Sequence, residues 1–433
     1  MVGLVIGIIV LAIGVINALR EKNGYNLLTV FCAYWASAMI IASFRPYEMY
    51  EVSFDTYLVI LLGVAGFSIG YLYRHSKQYR KIVFRRDKSN INTTSYEFKK
   101  LPLTILALIS AAYGLFKAFC VFRLVNSGLA YSTVRSLYGA GDSQIIFGTL
   151  DNIVNVFVYT PAVFILTAVM VIDFFEKKTD VKIFIMSVVT LLTYMYISSG
   201  RFILLAIVAD VIYMFIIYKS GKILREKLKK IKRKVWIIIS ISVIAVLVIT
   251  SSRFSASFES RNVSTSSHFL LYYMGCVPLM GHWLDAIRSA GDVTYGMASV
   301  HGFLHPLILL GKMAGINAPK LYTYTTDVVE SMQNFVFVTP TRALNAFSGI
   351  FLYLYLDARE LGVFLGMFVY GVICANSFKQ VQENRNAKTM LYFLLIMQGF
   401  TQVMVRWPFY RGPYAIAFVY ALALIRKGAD YEN

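Results

Sequence analysis

Long apolar runs separated by short polar breaks dominate the chain. A helix needs about 20 mostly apolar residues to cross roughly 30 Å of hydrocarbon. At 1.5 Å per residue, the run from Ile183 to Tyr218 would extend about 54 Å as one helix. The run therefore predicts two spans, with the hairpin between them carrying Ser198, Ser199, Gly200 and Arg201. The same measure predicts eleven spans, over 2–19, 25–44, 57–73, 101–125, 153–172, 183–197, 202–218, 235–250, 360–377, 389–405 and 414–425. The predicted fold class is an all-α polytopic membrane protein of about 11 transmembrane helices with one large extracytoplasmic loop.

That loop, 251–359, is too long for a passive connection. It holds four of the five histidines and the apolar stretch Leu344 to Leu356, which is too short to cross comfortably. If it crossed alone, every downstream loop would change side. It is predicted instead as a re-entrant or interfacial element lining a cavity, where non-spanning backbone is tolerated at membrane depth. Three regions follow: an eight-span segment 1–250 with basic loops at 74–100 and 219–234, the loop 251–359, and a three-span segment 360–433.

Composition agrees with a bilayer protein: 58% of the 433 residues are hydrophobic, 15% are charged, and the mean hydropathy is +0.62. No basic stretch precedes the first apolar run and no small-residue cleavage site ends it, so it is predicted as a permanent span rather than a leader. The cysteines show no CxxC spacing and indicate neither a disulfide framework nor a metal site.

The net charge of +19 is a topology signal. Loops 74–100 and 219–234 carry nine Lys or Arg each, and the positive-inside rule places both in the cytoplasm. With eleven spans, that choice also places 20–24, 173–182, 378–388 and the tail from Arg426 inside. Loop 219–234 carries no aromatic residue and 74–100 carries four, short of the interleaving that a nucleic-acid stacking platform requires, so nucleic acid is excluded and the lipid bilayer is the partner of the basic face.

The kind of cation also differs between the two sides. Inside, 19 of 28 are lysine, whereas outside 10 of 12 are arginine. Arginine offers a planar fork that grips phosphate or carboxylate at two points. Either the outer face is built to hold an anion, or arginine anchors span ends there by snorkelling.

Among candidate chemical groups, His301 and His305 stand four apart, on one face if the segment is helical. A metal is not indicated, because the glutamate of HExxH is missing and no third ligand is evident. Asp357 closes the short apolar stretch. His301, His305 and Asp357 are candidates for proton transfer, with a structural role as the alternative. Tyr353, Tyr355 and Trp407 either stack on sugar rings or belong to the interfacial aromatic belt. Within the spans, Lys117, Arg123 and Asp210 are costly charges, most simply explained by ion pairing between helices.

Three stretches resemble the oligosaccharide repeat-unit polymerases of bacterial surface polysaccharides, the Wzy type, which are related to the O-antigen ligases. They are YISSGRFILL from Tyr196, FLLYYMGCVPLMGHWLDAI from Phe269, and TPTRALNAFSGIFLYLYLDARELGVFLGMFVYGVI from Thr339. The chain departs from the pattern at Ser348, where threonine is expected, and has no histidine beside Asn345.

The resemblance implies an enzyme at the outer face of the bacterial cytoplasmic membrane. It would transfer a growing glycan from undecaprenyl pyrophosphate onto a lipid-linked repeat unit, needing no cofactor because the donor bond is already activated. Arg201 and Arg253 are then the first candidates to hold the pyrophosphate, followed by Arg135, Arg342 and Arg411. A flippase and a chain-length regulator are the protein partners implied. The main rival reading is a lipid-linked glycan flippase or other secondary transporter.

Overall fold

The computed structural model describes residues 2–85, 95–131, 133–134, 148–177, 179–198, 202–219, 271, 273–345 and 349–428. Its helices are α1 (Val2–Glu21), α2 (Leu27–Ser43), α3 (Phe54–Arg85), α4 (Lys100–Asn126), α5 (Gly148–Val154), α6 (Thr160–Glu176), α7 (Val181–Ser198), α8 (Phe202–Lys219), α9 (Cys276–Ala290), α10 (Met297–Met313), α11 (Lys320–Ser331), α12 (Gly349–Glu383), α13 (Ala387–Phe400) and α14 (Gly412–Ala423). A five-residue π turn, Asn155–Tyr159, joins α5 to α6. Two small antiparallel pairs complete the described structure: β1 (Tyr96–Phe98) with β4 (Ile425–Lys427), and β2 (Val336–Thr339) with β3 (Arg342–Leu344).

Each predicted span except 235–250, which lies outside the described residues, coincides with a helix. The protein is an all-α membrane protein. Among the described residues, six helical runs are long and apolar enough to cross a bilayer: Val2–Glu21, Phe54–Arg74, Lys100–Asn126, Leu150–Glu176, Val181–Ser198 and Gly349–Glu383. That count replaces the expected eleven. Helices α2, α8, α13 and α14 are apolar but shorter. The physical reason is clearest at the C-terminal end. There, Pro408 and Pro413 remove backbone donors, and the chain from Thr401 to Arg411 forms turns. This leaves α13 and α14 only about 21 and 18 Å long.

The segments predicted to share a side do gather at one end of the bundle. Lys100 pairs with Asp180 at 3.6 Å, and the β1–β4 pair joins the loop before α4 to the tail. Lys388 lies over the Tyr96 ring, and Arg385 donates to Ile217 O at the end of α8. At the opposite end, Arg288 donates to Asp55 and Glu360.

Helix α12 is two helices. Ala358 (φ −157°, ψ 38°) and Arg359 (φ 56°, ψ −142°) leave helical geometry, and the chain doubles back there. All nine residues from Gly349 to Asp357 are buried. Leu354 packs on Gly362 and Gly366 of the returning helix, and the Ile350 N–H donates to Val403 O at 2.7 Å. The returning helix lies along α3 so closely that a Cβ on Gly70 would sit 2.0 Å from Phe368 O. Phe31, Trp35, Phe67, Phe351 and Phe400 form the aromatic centre of this packing.

One hydrophobic core runs through the described parts of all three predicted regions, from Ile6 of α1 to Ala421 of α14. Of the three costly charges within spans, only Lys117 forms the expected ion pair among the described residues. Lys117 Nζ meets Asp151 Oδ2 at 2.9 Å, with both side chains almost fully buried, and Tyr113 also donates to Asp151. Asp210 accepts from Gln398 Nε2 at 2.9 Å, whereas Arg123 is exposed.

Candidate functional site

A cavity of about 740 Å³ opens at the end of the bundle opposite the basic loops, where the C-terminal end of α7 contributes Tyr194 and Ser198. The π turn supplies Asn155 and Tyr159; α10 supplies His301, His305 and Lys312; α11 supplies Tyr322, Thr326, Asp327 and Glu330. The floor is Tyr410, Arg411 and Gly412, where the turn between α13 and α14 ends.

Helix α10 is held in place by a residue distant in sequence. Gly296, before its first turn, has no side chain to cap the orphan N–H groups. Asp357 fills that role from the end of the buried short helix. Its Oδ1 accepts from Thr294 Oγ1 at 2.7 Å and from the Ala298 N–H at 2.8 Å. Its Oδ2 accepts from the Ser299 N–H at 2.8 Å and from the Ser299 hydroxyl. A carboxylate saturated by four donors at a helix N-terminus is a fastener. Asp357 does not line the cavity.

One turn further along α10, Gly302 lets the helix press on the floor; a Cβ there would sit 2.2 Å from Phe409 O. His301 is consequently sandwiched between Tyr322 and Tyr410, with ring centroids 4.5 and 4.1 Å away and planes within 8° and 13°. Its Nδ1–H donates to Tyr410 O at 3.0 Å, and Nε2 pairs with the Thr326 hydroxyl at 3.2 Å. His305 Nδ1 lies 2.7 Å from the Tyr322 hydroxyl. Burial, with His301 and Lys312 nearby, pushes the His305 pKa down to about 4. The ring is therefore neutral at pH 7, and Tyr322, whose own pKa is pushed up to about 12 chiefly by burial, donates to it.

Cations at the floor differ from those elsewhere. Arg411 is exposed to the cavity. Arg406, partly buried behind it, has Arg411, Tyr353, Tyr194 and Tyr410 as electrostatic neighbours. Burial and the charge of Arg411 push the Arg406 pKa down to about 10. Among the described residues, neither guanidinium makes an ion pair, and neither do Lys312, Asp327 or Glu330. The start of α14, at Gly412, adds the positive end of a helix to the same floor.

Of the residues singled out from sequence, His301, His305 and Arg411 meet in this cavity. Arg342 sits on β3, away from it, and Arg135, Arg201 and Arg253 lie outside the described residues. Tyr355 accepts from Arg288 Nε at 2.7 Å, and Trp407 Nε1 donates to Ser299 O at 2.9 Å, so both are occupied internally.

Sequence reasoning missed Arg406, Lys312, Glu330 and the tyrosine pair Tyr322 and Tyr410 as site residues. The signal available is Arg406 and Arg411 flanking Pro408 in an apolar stretch, of which the sequence analysis singles out Arg411 alone. Among the described residues, no three His, Cys, Asp or Glu side chains converge to hold a metal. Comparison with family models, with curated proteins and with solved structures gives no match.

Proposed function

We propose that this protein is a membrane glycosyltransferase that joins lipid-linked oligosaccharide repeat units into a surface polysaccharide, the activity implied by the resemblance in its sequence. The observation that carries the reading is the cavity floor: Arg411 with Arg406 behind it, neither ion-paired among the described residues, in a cavity also lined by tyrosines and by the carboxylates of Asp327 and Glu330. Breaking the bond from an anomeric carbon to a pyrophosphate builds negative charge on the leaving group. Cations already in place there lower that barrier without having to reorganise. Tyrosine faces and the hydroxyls of Thr326 and Ser198 suit sugar rings, which present apolar faces and hydroxyl edges.

In this reading the end bearing the basic loops is cytoplasmic, by the positive-inside rule. The cavity then opens outside, in the bacterial cytoplasmic membrane. The hairpin at Ala358–Arg359 is the re-entrant element of this arrangement. Undecaprenyl pyrophosphate carries both donor and acceptor glycan, and a flippase and a chain-length regulator act with the enzyme. No cofactor is needed.

A second reading, a lipid-linked glycan flippase or other secondary transporter, is favoured by one observation. The short helix Gly349–Asp357 and the α13–α14 hairpin meet inside the bundle, through Ile350 and Val403, and broken helices are a recurring transporter device. Deleting the gene and examining surface glycan separates the two. Polymerase loss leaves single capped units at the surface, whereas accumulation of lipid-linked units on the inner face overturns the polymerase reading.

A further inference from the structure

The acceptor hydroxyl in such a transfer must lose its proton, and the structure removes each histidine and aspartate that the sequence offered for the task. Asp357 is saturated by four donors and faces away from the cavity. His301 has both ring nitrogens engaged and both ring faces covered. His305 has Nδ1 committed to Tyr322, and its ring packs so tightly on Gly412 that a Cβ there would lie 2.7 Å from Cδ2. Among the described residues that line the cavity, the remaining groups able to accept a proton are the two carboxylates of α11, Asp327 and Glu330. Both are exposed to the cavity, without an ion-pair partner among the described residues.

Glu330 lines the cavity within electrostatic reach of both phenols that sandwich His301, Tyr322 and Tyr410. We propose that Glu330 is the proton acceptor of this site, an assignment that rests on the glycan-transfer reading above. As the acceptor hydroxyl attacks, its proton passes to the Glu330 carboxylate and its oxygen forms the new bond to the anomeric carbon. The bond from that carbon to the pyrophosphate breaks, and the electron pair leaves on the pyrophosphate, beside Arg406 and Arg411. Glu330 then returns the proton to the water of the open cavity.

The test uses the full-length protein in lipid nanodiscs with lipid-linked oligosaccharide extracted from cells that lack the gene. Polymer formation and retention of substrate on the nanodisc are measured separately. For Glu330→Gln, polymer formation should fall by about 10²–10⁴-fold, the usual worth of a general base, with retention and melting temperature unchanged. Glu330→Asp should restore part of the rate. Wild-type turnover in Glu330→Gln, or the large loss appearing in Asp327→Asn instead, overturns the assignment. If the unmodified protein forms no polymer, the glycan-transfer reading itself fails and takes this inference with it.

Discussion

Two arginine clusters stand at the same end of the molecule and behave in opposite ways. Arg288 is held by three partners from other elements, Asp55, Tyr355 and Glu360, and its guanidinium also lies over the Tyr355 ring. Arg406 and Arg411 have no partner among the described residues, although Asp327 and Glu330 line the same cavity as Arg411. An arginine on this face is therefore not by itself a ligand for an anion. What separates the clusters is whether the fold supplies the counter-charge, and at the cavity it does not.

Four experiments break or sharpen that contrast. The largest effect should come from the pair most completely satisfied within the chain. Lys117→Met leaves Asp151 buried without its cation, and loss of one member of a buried pair costs about 3–5 kcal/mol. It should appear as a marked drop in melting temperature in detergent. The floor should respond in activity instead. Arg406→Gln or Arg411→Gln should reduce polymer formation by about 10²–10³-fold, the scale seen when a preorganised donor to a developing charge is removed, with little change in melting temperature. Normal polymerisation in both variants would end the pyrophosphate reading of the floor.

Asp357→Ala should fall between these, losing about 1–3 kcal/mol because Ser299, Thr294 and two helix N–H groups lose their acceptor. A melting curve measures it, and full retention of stability would contradict the fastener role. Arg288→Met should have the smallest effect, below about 1 kcal/mol, since Asp55 and Glu360 are about half exposed and solvent screens them. Activity should be unchanged; a large loss of polymer would erase the distinction between the two clusters.

The cavity also carries a pH signature. His305 has a folded pKa near 4 against an ordinary value of 6.5, so the unfolded chain binds its proton first as pH falls. Stability from this ring is present above about pH 6.5 and is lost on acidification towards pH 4. Thermal unfolding across that window should steepen with acid, and His305→Asn should flatten the dependence.

Much of this was legible along the chain, and the limits of that reading have physical causes. Apolar runs and their breaks located helices α1 to α4, α6 to α8 and α12 to α14, because the requirement to satisfy backbone groups in hydrocarbon is local. The short stretch ending at Asp357 doubles back on the helix that follows it as a buried hairpin. Hydropathy overestimated the number of long spans because it does not detect that the chain passes into turns at Thr401 and so ends α13 at Phe400. Asp357 looked like chemistry because an acid at the end of an apolar stretch is costly. The donors that satisfy it lie about 60 residues away along the chain, as the separations of 58 to 63 show.

By itself, the sequence determined the class of the protein, the position of its apolar helices outside the large loop and which loops share an end, since each depends on composition within a window of some 20 residues. Tertiary structure alone decided which charges are spent inside the fold and which remain free. His301 meets Tyr410 across 109 residues, and Arg288 meets Asp55 across 233. No local pattern encodes such distances. Whether a charged side chain is a strut or a binding group depends on which partners the packing brings within reach.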